Sequence, residues 1–448
     1  MVKGPTQAPS YGLNDLGEYR DLGRGPVTSY FRRVVSRSVP SDAGTLRRLA
    51  AFSGNIKNWG KWAGHVTRYI TSPKHAFLNY GTESGVYPFE DKCKLAVAGD
   101  WGTGTDEAQH VTSAMKEKHN PDYTVHLGDV YYVGDEPELE ENCLGQDGPP
   151  INGVVAKGVK WELGKKGSFA LNGNHEMYAC GDAYFDKFLP KLGTLDPSSN
   201  PQGQKASFFC LKSKYWRIVG LDTGYYSTGI RTVLSFLSRI KKVQWLRKTS
   251  WFKPSCKLHD DLLKWLSDIL RPAAANTGSE TTLPAIILLS HHEYYSSFDD
   301  WYPIPGQQLR SLISPDRPVL WFWGHEHRFA IYDRFRIGDG IQAYGRCVGH
   351  GGMPVSRGAV PDIADCNCVL YDDRRYMSDE DINVGYNGFI VLEFDGPKLE
   401  VSYYDLYNTL LLTERWISNG QGNLQGPQFQ NVNSDLTQND PHYIKAHS

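Results

Sequence analysis

The sequence predicts an α/β fold built on mixed β-sheet. Three observations predict it. Five short apolar runs each end in a polar block, the way buried strands deliver residues to the rim of a sheet. Stretches of helical spacing separate several of these runs. Two hairpins, one central and one late, add antiparallel strands.

The first three runs are Lys94–Ala98 into Gly99-Asp100-Trp101-Gly102, Tyr123–Leu127 into Gly128-Asp129-Val130-Tyr131-Tyr132, and Ser168–Asn172 into Gly173-Asn174-His175-Glu176. Ala285–Ser290 then leads into His291-His292-Glu293, and Pro318–Trp323 into Gly324-His325-Glu326-His327. A single aspartate after a strand is usually a cap or turn residue. Five strand ends carrying Asp, Asn and His in one chain are not explained by turns. These residues are oxygen and nitrogen donors with no thiolate, a set suited to Fe, Mn, Zn and similar ions.

Between the runs, Thr105 to Lys118 predicts a helix. Ala108, Val111, Ala114 and Met115 recur at helical spacing behind a Thr105 or Asp106 cap. Gly134 to Pro150 reads as an acidic loop. Gly181 to Leu189 predicts a short helix stopped by Pro190. Ala206 to Gly224 predicts a hairpin turning at Lys212-Ser213-Lys214, with Asp222 a structural carboxylate. His259 to Leu270 predicts a helix with Leu262, Leu263, Leu266 and Leu270 on one face. Asn387 to Leu406 predicts the late hairpin, turning at Asp395-Gly396-Pro397. The last thirty residues are rich in Asn and Gln, lack periodicity, and read as a tail that hugs the surface or is disordered.

The chain has 448 residues, 40% of them apolar and 12% aromatic, enough for a substantial core. No run approaches the roughly 18 apolar residues of a membrane span. The N-terminus has no apolar stretch of signal-peptide type. Eight cysteines include no C-x-x-C pair, which speaks against a zinc knuckle and leaves disulfides open. The net charge of −2 hides a segregation. Residues 24–80 carry ten Lys/Arg and one acid, and residues 230–258 carry eight Lys/Arg and no acid. In the second stretch Ile230, Val233, Leu234, Leu237 and Ile240 share a helical face, followed by Trp245, Trp251 and Phe252. Basic, amphipathic and aromatic together, this is the composition of an interfacial helix or of a helix with a solvated basic face.

The five blocks resemble the calcineurin-like metallophosphoesterases, with their D-x-[HG], G-D, G-N-H-[ED], strand-His and G-H-x-H motifs. The first block reads Asp-Trp-Gly, and Tyr132 stands three residues after Asp129. This pairing is similar to the purple acid phosphatase-like group, in which a tyrosinate replaces the missing His on a ferric ion. The resemblance spans about Lys94 to Trp416. It implies two stacked mixed sheets flanked by helices, with metals at the strand ends.

The resemblance also implies roles. Asp100, Tyr132 and His327 would hold Fe(III); Asn174, His291 and His325 would hold a divalent ion (Fe, Zn or Mn). Asp129 would bridge the two. Tyr131 is the rival phenolate. His292 takes a non-ligand position, because neighbours on an extended strand point to opposite faces. Glu293 stands where the animal-type pattern has Pro, which leaves the following turn open. His175 would be the general acid that protonates the leaving group. Glu176 would orient its turn, and Tyr178 and Cys180 could line the mouth. His350, in Gly349-His350-Gly351-Gly352, is a glycine-turn residue or a second contact to the phosphate.

The expected organisation is a basic accessory segment at 1–91, a catalytic domain at 92–418 and a polar tail at 419–448. The expected activity is hydrolysis of phosphomonoesters by a metal-bound hydroxide. A phosphodiesterase acting on nucleotides or lipid headgroups is the alternative enzyme. An inactive domain that binds membranes or nucleic acid is the non-enzymatic one, and the intact ligand set argues against it. The expected partners are a phosphate ester and an anionic membrane surface, with nucleic acid disfavoured. The expected location is cytoplasmic, with membrane association through the basic segments.

Overall fold

In the computed structural model the described residues are 72–131, 133–148, 157–228, 254–270, 283–358, 366–376 and 384–448. In chain order they form β1 (Val86–Pro88), β2 (Lys92–Ala98), α1 (Asp106–Ala114), β3 (Tyr123–His126), α2 (Glu136–Asn142), β4 (Gly167–Ala170), α3 (Asn174–Met177) and β5 (Gly193–Thr194). Next come β6 (Phe209–Lys212), β7 (Trp216–Leu221), α4 (Asp260–Leu270), β8 (Ala285–Ser290), α5 (Pro303–Leu309), β9 (Val319–Trp323), β10 (Phe329–Phe335) and β11 (Ala343–Val348). The chain closes with β12 (Val355–Ser356), β13 (Cys368–Tyr371), β14 (Val384–Gly385), β15 (Gly388–Asp395), β16 (Lys398–Asp405), β17 (Leu410–Ser418), β18 (Leu424–Gln430), β19 (Thr437–Gln438) and α6 (Pro441–Ala446).

Two mixed sheets result. One has the order β1-β6-β7-β8-β9-β11-β10-β13-β19, and the other β18-β17-β16-β15-β2-β3-β4-β5. Strands β2, β3 and β4 run parallel, as do β7, β8, β9 and β11. The polar blocks therefore emerge at the carboxyl ends of parallel strands in both sheets.

Period-two alternation sorts each strand between two cores. Leu95 and Val97 of β2 join Ile287 and Leu289 of β8 in the core between the sheets. Ala96 and Ala98 face outward, against Ala108, Val111 and Met115 of the α1 region. Ile286 and Leu288 face outward too, against Leu262, Leu266 and Leu270 of α4. Each such leucine contributes about 1.5–3 kcal/mol by leaving water. The layers are helix, sheet, sheet, helix.

The helix after β2 is capped by Thr105, whose side chain accepts from Ala108 N. Both hairpins form: β6 pairs with β7, and β15 with β16. Asp222 accepts from Ser207 Oγ and from Tyr225 N, a structural carboxylate.

Three stretches differ from expectation. The acidic loop contains α2, capped by Asp135, which accepts from Glu138 N, with Pro in the first turn. Residues 419–448 are built into both sheets: β18 pairs with β17, and β19 pairs with β13. The signal in β18 is weak because Gly426 and Pro427 interrupt the alternation, and proline suits an edge strand. Within 1–91, the described part belongs to the body. β1 pairs with β6, and Tyr80 donates to Phe208 O at 2.6 Å. The amphipathic basic stretch at 230–252 lies outside the described residues.

No two of the eight cysteines are joined in a disulfide, and all eight are buried. Among the described residues no helix is long and apolar enough to cross a membrane.

One ion pair crosses the inter-sheet core. Arg346 on β11 donates from Nε and Nη2 to the two carboxylate oxygens of Glu414 on β17, each at 2.7 Å. Tyr403 and Trp416 complete the carboxylate at 2.7 and 3.0 Å. Both charged residues are fully buried. Removing one partner of such a pair leaves a charge without compensation. Arg346→Met should therefore lower the unfolding free energy by about 3–5 kcal/mol. Adding Glu414→Gln should recover part of it, since the amide oxygen still accepts from Tyr403. Urea unfolding measures both, and a single-variant loss below about 1 kcal/mol would mean the pair is no strut.

Candidate metal centre

The five polar blocks meet where the carboxyl ends of the two sheets face each other. Three of their residues adopt left-handed backbone: Asp100 (φ 56°), Asp129 (φ 74°) and His325 (φ 63°). Side chains with a β-carbon resist this region. Each turn aims its side chain back across the strand ends instead of along the strand.

Asp129 is 1% exposed and presents its two oxygens to two different clusters. Oδ1 lies 3.2 Å from His291 Nε2. Oδ2 lies 3.0 Å from the Tyr131 hydroxyl. Around Oδ1, His291 Nε2 also meets Asn174 Oδ1 at 3.1 Å and His325 Nδ1 at 3.3 Å. Around Oδ2, the Tyr131 hydroxyl also meets Asp100 Oδ1 at 2.7 Å and His327 Nε2 at 3.0 Å. Asp100, Asp129 and His291 each offer a donor atom within 4.8 Å of the others.

The donor chemistry fits a cation in each cluster. His291 Nδ1 is 2.9 Å from Leu127 O, so the neutral ring gives its proton to that carbonyl and turns a lone pair on Nε2 inward. Asn174 Nδ2 donates to the Tyr178 hydroxyl at 3.1 Å, which leaves its carbonyl oxygen facing His291. That cluster is then lone pairs facing lone pairs. In the other cluster, the phenol has one hydrogen for three close acceptor atoms. Donor atoms about 3 Å apart match a shared cation roughly 2.0–2.2 Å from each.

The electrostatics agree. Burial opposes charge on His291, but Asp129, Asp100 and Glu176 together lift the imidazole to about 9. Burial would raise Asp129; His291 and His175 hold it well below the usual carboxylate range. Burial, then Asp100 and Asp129, push the Tyr131 phenol well above its ordinary value. Burial and His291 pull His325 down to about 4. In such a field a proton takes the position that a cation would otherwise hold.

Tyr132, which the resemblance makes the phenolate, lies outside the described residues. Its neighbour Tyr131 is the phenol in the cluster. Tyr131 N donates to Gly102 O at 2.8 Å, and Gly102 N donates to Asp129 O at 3.3 Å. A β-carbon on Gly102 would sit 2.9 Å from Asp129 O, so only glycine allows this pairing of the two loops. The pairing turns the Tyr131 side chain toward Asp100 and Asp129.

Strand alternation does not decide the direction of His292. β8 ends at Ser290, so both histidines lie beyond the strand in a bend, where period two no longer applies. His291, His292 and His325 bring one ring nitrogen each within 4.8 Å of one another. No sequence period marks such a bend.

His175 Nε2 lies 3.7 Å from Asp129 Oδ2, and its side chain is 14% exposed. Glu176 does orient its turn, through backbone rather than through a ligand histidine. Its carboxyl accepts from Asp129 N at 3.2 Å, Val130 N at 2.6 Å and Gly173 N at 2.8 Å. His350 is fully buried and stacked on Phe329 at 5.6 Å between centroids. A separate cleft lies along the starts of β2 and β16. Within it Lys94 faces Glu393 at 2.8 Å and Arg415 faces Glu400 at 2.9 Å.

Residues 93–329, more than half of the chain, match the family model for calcineurin-like phosphoesterases. No curated protein matches the sequence. Several solved structures are similar. One is GAP50, described as the anchor in the inner membrane complex of Plasmodium, with 13% identity and TM-score 0.44 over 80% of this chain and 95% of that one. Another is purple acid phosphatase PPD1 from yellow lupin (Lupinus luteus), with 14% identity and TM-score 0.43 over 72% of this chain and 53% of that one. A third is PhoD, with 12% identity and TM-score 0.43 over 84% of this chain and 77% of that one.

Proposed function

Because this chain belongs to the calcineurin-like phosphoesterase family, we propose that it hydrolyses phosphomonoesters at a dinuclear metal centre. The observation that carries this reading is the division of Asp129, one oxygen to each of two donor clusters. Asp100, His327 and a tyrosine phenolate are the proposed holders of the first ion, and Asn174, His291 and His325 of the second. Bound there, two cations would supply Lewis acidity toward the phosphoryl group and acidify water. The chain's own residues do the rest. Leu127 O and Tyr178 fix which atoms of His291 and Asn174 face inward. His175, held by its backbone N–H on Asp129 Oδ1 at 3.0 Å, is the proposed general acid for the leaving oxygen.

A phenolate in the first cluster points to a hard, highly charged ion such as Fe(III). Two carboxylates raise the phenol's pKa, and only a strong cation offsets them. On this reading the phenolate is Tyr131, since its hydroxyl touches Asp100, Asp129 and His327. Protein isolated in air should show a visible charge-transfer band. Tyr131→Phe should abolish it and Tyr132→Phe should leave it. The opposite pattern would restore Tyr132. A colourless protein with full iron occupancy would end the phenolate proposal while leaving the phosphoesterase standing.

For His175→Ala, both metals should remain and the rate should fall by roughly 10²–10⁴-fold on alkyl phosphates. The loss should shrink on nitrophenyl phosphate, whose leaving group needs no proton. An equal loss on both substrates would assign His175 to binding.

The proposed setting is an anionic surface. Residues 24–80 and 230–258 together carry a net charge of +17. Described residues that border these segments meet: Lys74 Nζ donates to Tyr225 O at 2.7 Å and to Thr228 O at 3.1 Å. The Lys257 ammonium lies 4.6 Å above the Tyr226 ring. Each cation near an anionic bilayer contributes about 1 kcal/mol, lost as salt screens it. The chain should co-sediment with anionic but not neutral vesicles at low salt. Neutralising Arg239, Lys241, Lys242, Arg247 and Lys248 should weaken this. Equal sedimentation with both vesicle types would return these segments to solvated or internally paired charge.

A further inference from the structure

The bend after β8 places a residue at the second cluster that the family pattern leaves out. His292 is 2% exposed. Its backbone N–H donates to Thr223 Oγ1 at 3.0 Å, and its Nδ1 lies 3.1 Å from the same oxygen. Thr223 thus grips the residue at two points and fixes the ring plane. The ring packs against His325 (4.6 Å between centroids), His291 (4.8 Å) and Tyr302 (5.1 Å). With Nδ1 occupied by Thr223, Nε2 is the nitrogen left for the shared cluster of His291, His292 and His325. The three rings bring one nitrogen each within 4.8 Å of one another, close enough to share a cation.

We propose that His292 is a further ligand of the second cation, oriented by Thr223. The inference rests on the second-ion reading of Asn174, His291 and His325 given above. With it, the second ion would meet three imidazole nitrogens, the Asn174 carbonyl oxygen and Asp129 Oδ1. A nitrogen-rich set of this kind favours Zn(II) and other late divalent ions over Mg(II) and Mn(II), which prefer oxygen. Thr223 is a positioning residue in this arrangement. It fixes the His292 ring as Leu127 O fixes His291, and outer partners of this kind are worth about 10–100-fold in metal affinity.

The test uses the full chain, stripped of metal and titrated with Zn(II), and separately with Mn(II), against a chromophoric chelator. Wild type should bind two equivalents of Zn(II). His292→Gln, which keeps the volume and a polar contact to Thr223, should weaken one equivalent at least tenfold and leave the other unchanged. The Zn-over-Mn preference of that one site should fall with it. Thr223→Val should weaken the same equivalent by a smaller factor. Asn174→Ala separates the two readings. If Asn174→Ala loses one equivalent while His292→Gln binds like wild type, the His292 assignment is overturned and the second site survives. If Asn174→Ala keeps both equivalents, the second-site reading itself fails, and this inference with it. Should His292→Gln lose both equivalents together with its circular-dichroism spectrum, His292→Asn with the same titration decides. Selective weakening of one equivalent supports the ligand, and wild-type affinity for both removes it.

Discussion

The Glu176 side chain gathers backbone N–H groups from Asp129, Val130 and Gly173 into one buried carboxyl. Two loops, after β3 and after β4, close on it. Gly173 and Asp129 are so close that a β-carbon on Gly173 would lie 2.1 Å from Asp129 Oδ1. The left-handed turn at Asp129 is strained for a residue with a side chain, and these hydrogen bonds hold it there. Burial and the nearby Asp129 charge push Glu176 up to about 8. Three backbone donors then do what solvent cannot. The position of Asp129, and through it both donor clusters, follows from this one group.

The site also straddles two sheets. Asp100, Asp129 and Asn174 follow strands of one sheet; His291, His325 and His327 follow strands of the other. Their spacing therefore depends on how the sheets stack. The apolar core between them sets the separation, but apolar contact is not directional. The Arg346–Glu414 pair supplies a fixed, bidentate reference across that core. At the strand ends, His325 N donates to Asp100 Oδ2 at 2.8 Å, and His291 Nδ1 faces Leu127 O at 2.9 Å. Each of these contacts joins one sheet to the other at the site itself.

Burial gives the donor set its chemistry. Oxygen and nitrogen atoms that water would separate are held about 3 Å apart in a region of low dielectric, so their mutual repulsion is large unless a cation or proton lies among them. The lift of His291 to about 9 and the fall of His325 to about 4 are two signs of the same crowding. In this group His175 and His327 keep side-chain exposure, at 14% and 16%, and His325 is partly exposed as well.

The sequence by itself determined the strands and the residues at their ends. Apolar runs of five or six residues stop just before the blocks of Asp100, Asp129, Asn174, His291 and His325, and that punctuation is legible because alternation and its sudden loss are local properties. It also determined the α4 face and both hairpins, and it narrowed the α1 cap to Thr105 or Asp106, of which the structure uses Thr105. Tertiary structure decided what happens past each strand end, where no period operates. Three left-handed turns set the direction of Asp100, Asp129 and His325. Pairing of the Gly102 and Val130 loops turned the Tyr131 phenol inward. A bend held by Thr223 brought His292 to the same cluster as His291. The last residues became β18 and β19 because two sheet edges were open to them, though their own alternation is broken by Gly426 and Pro427. In each case the deciding contact comes from residues distant in the chain, so no local pattern could carry it.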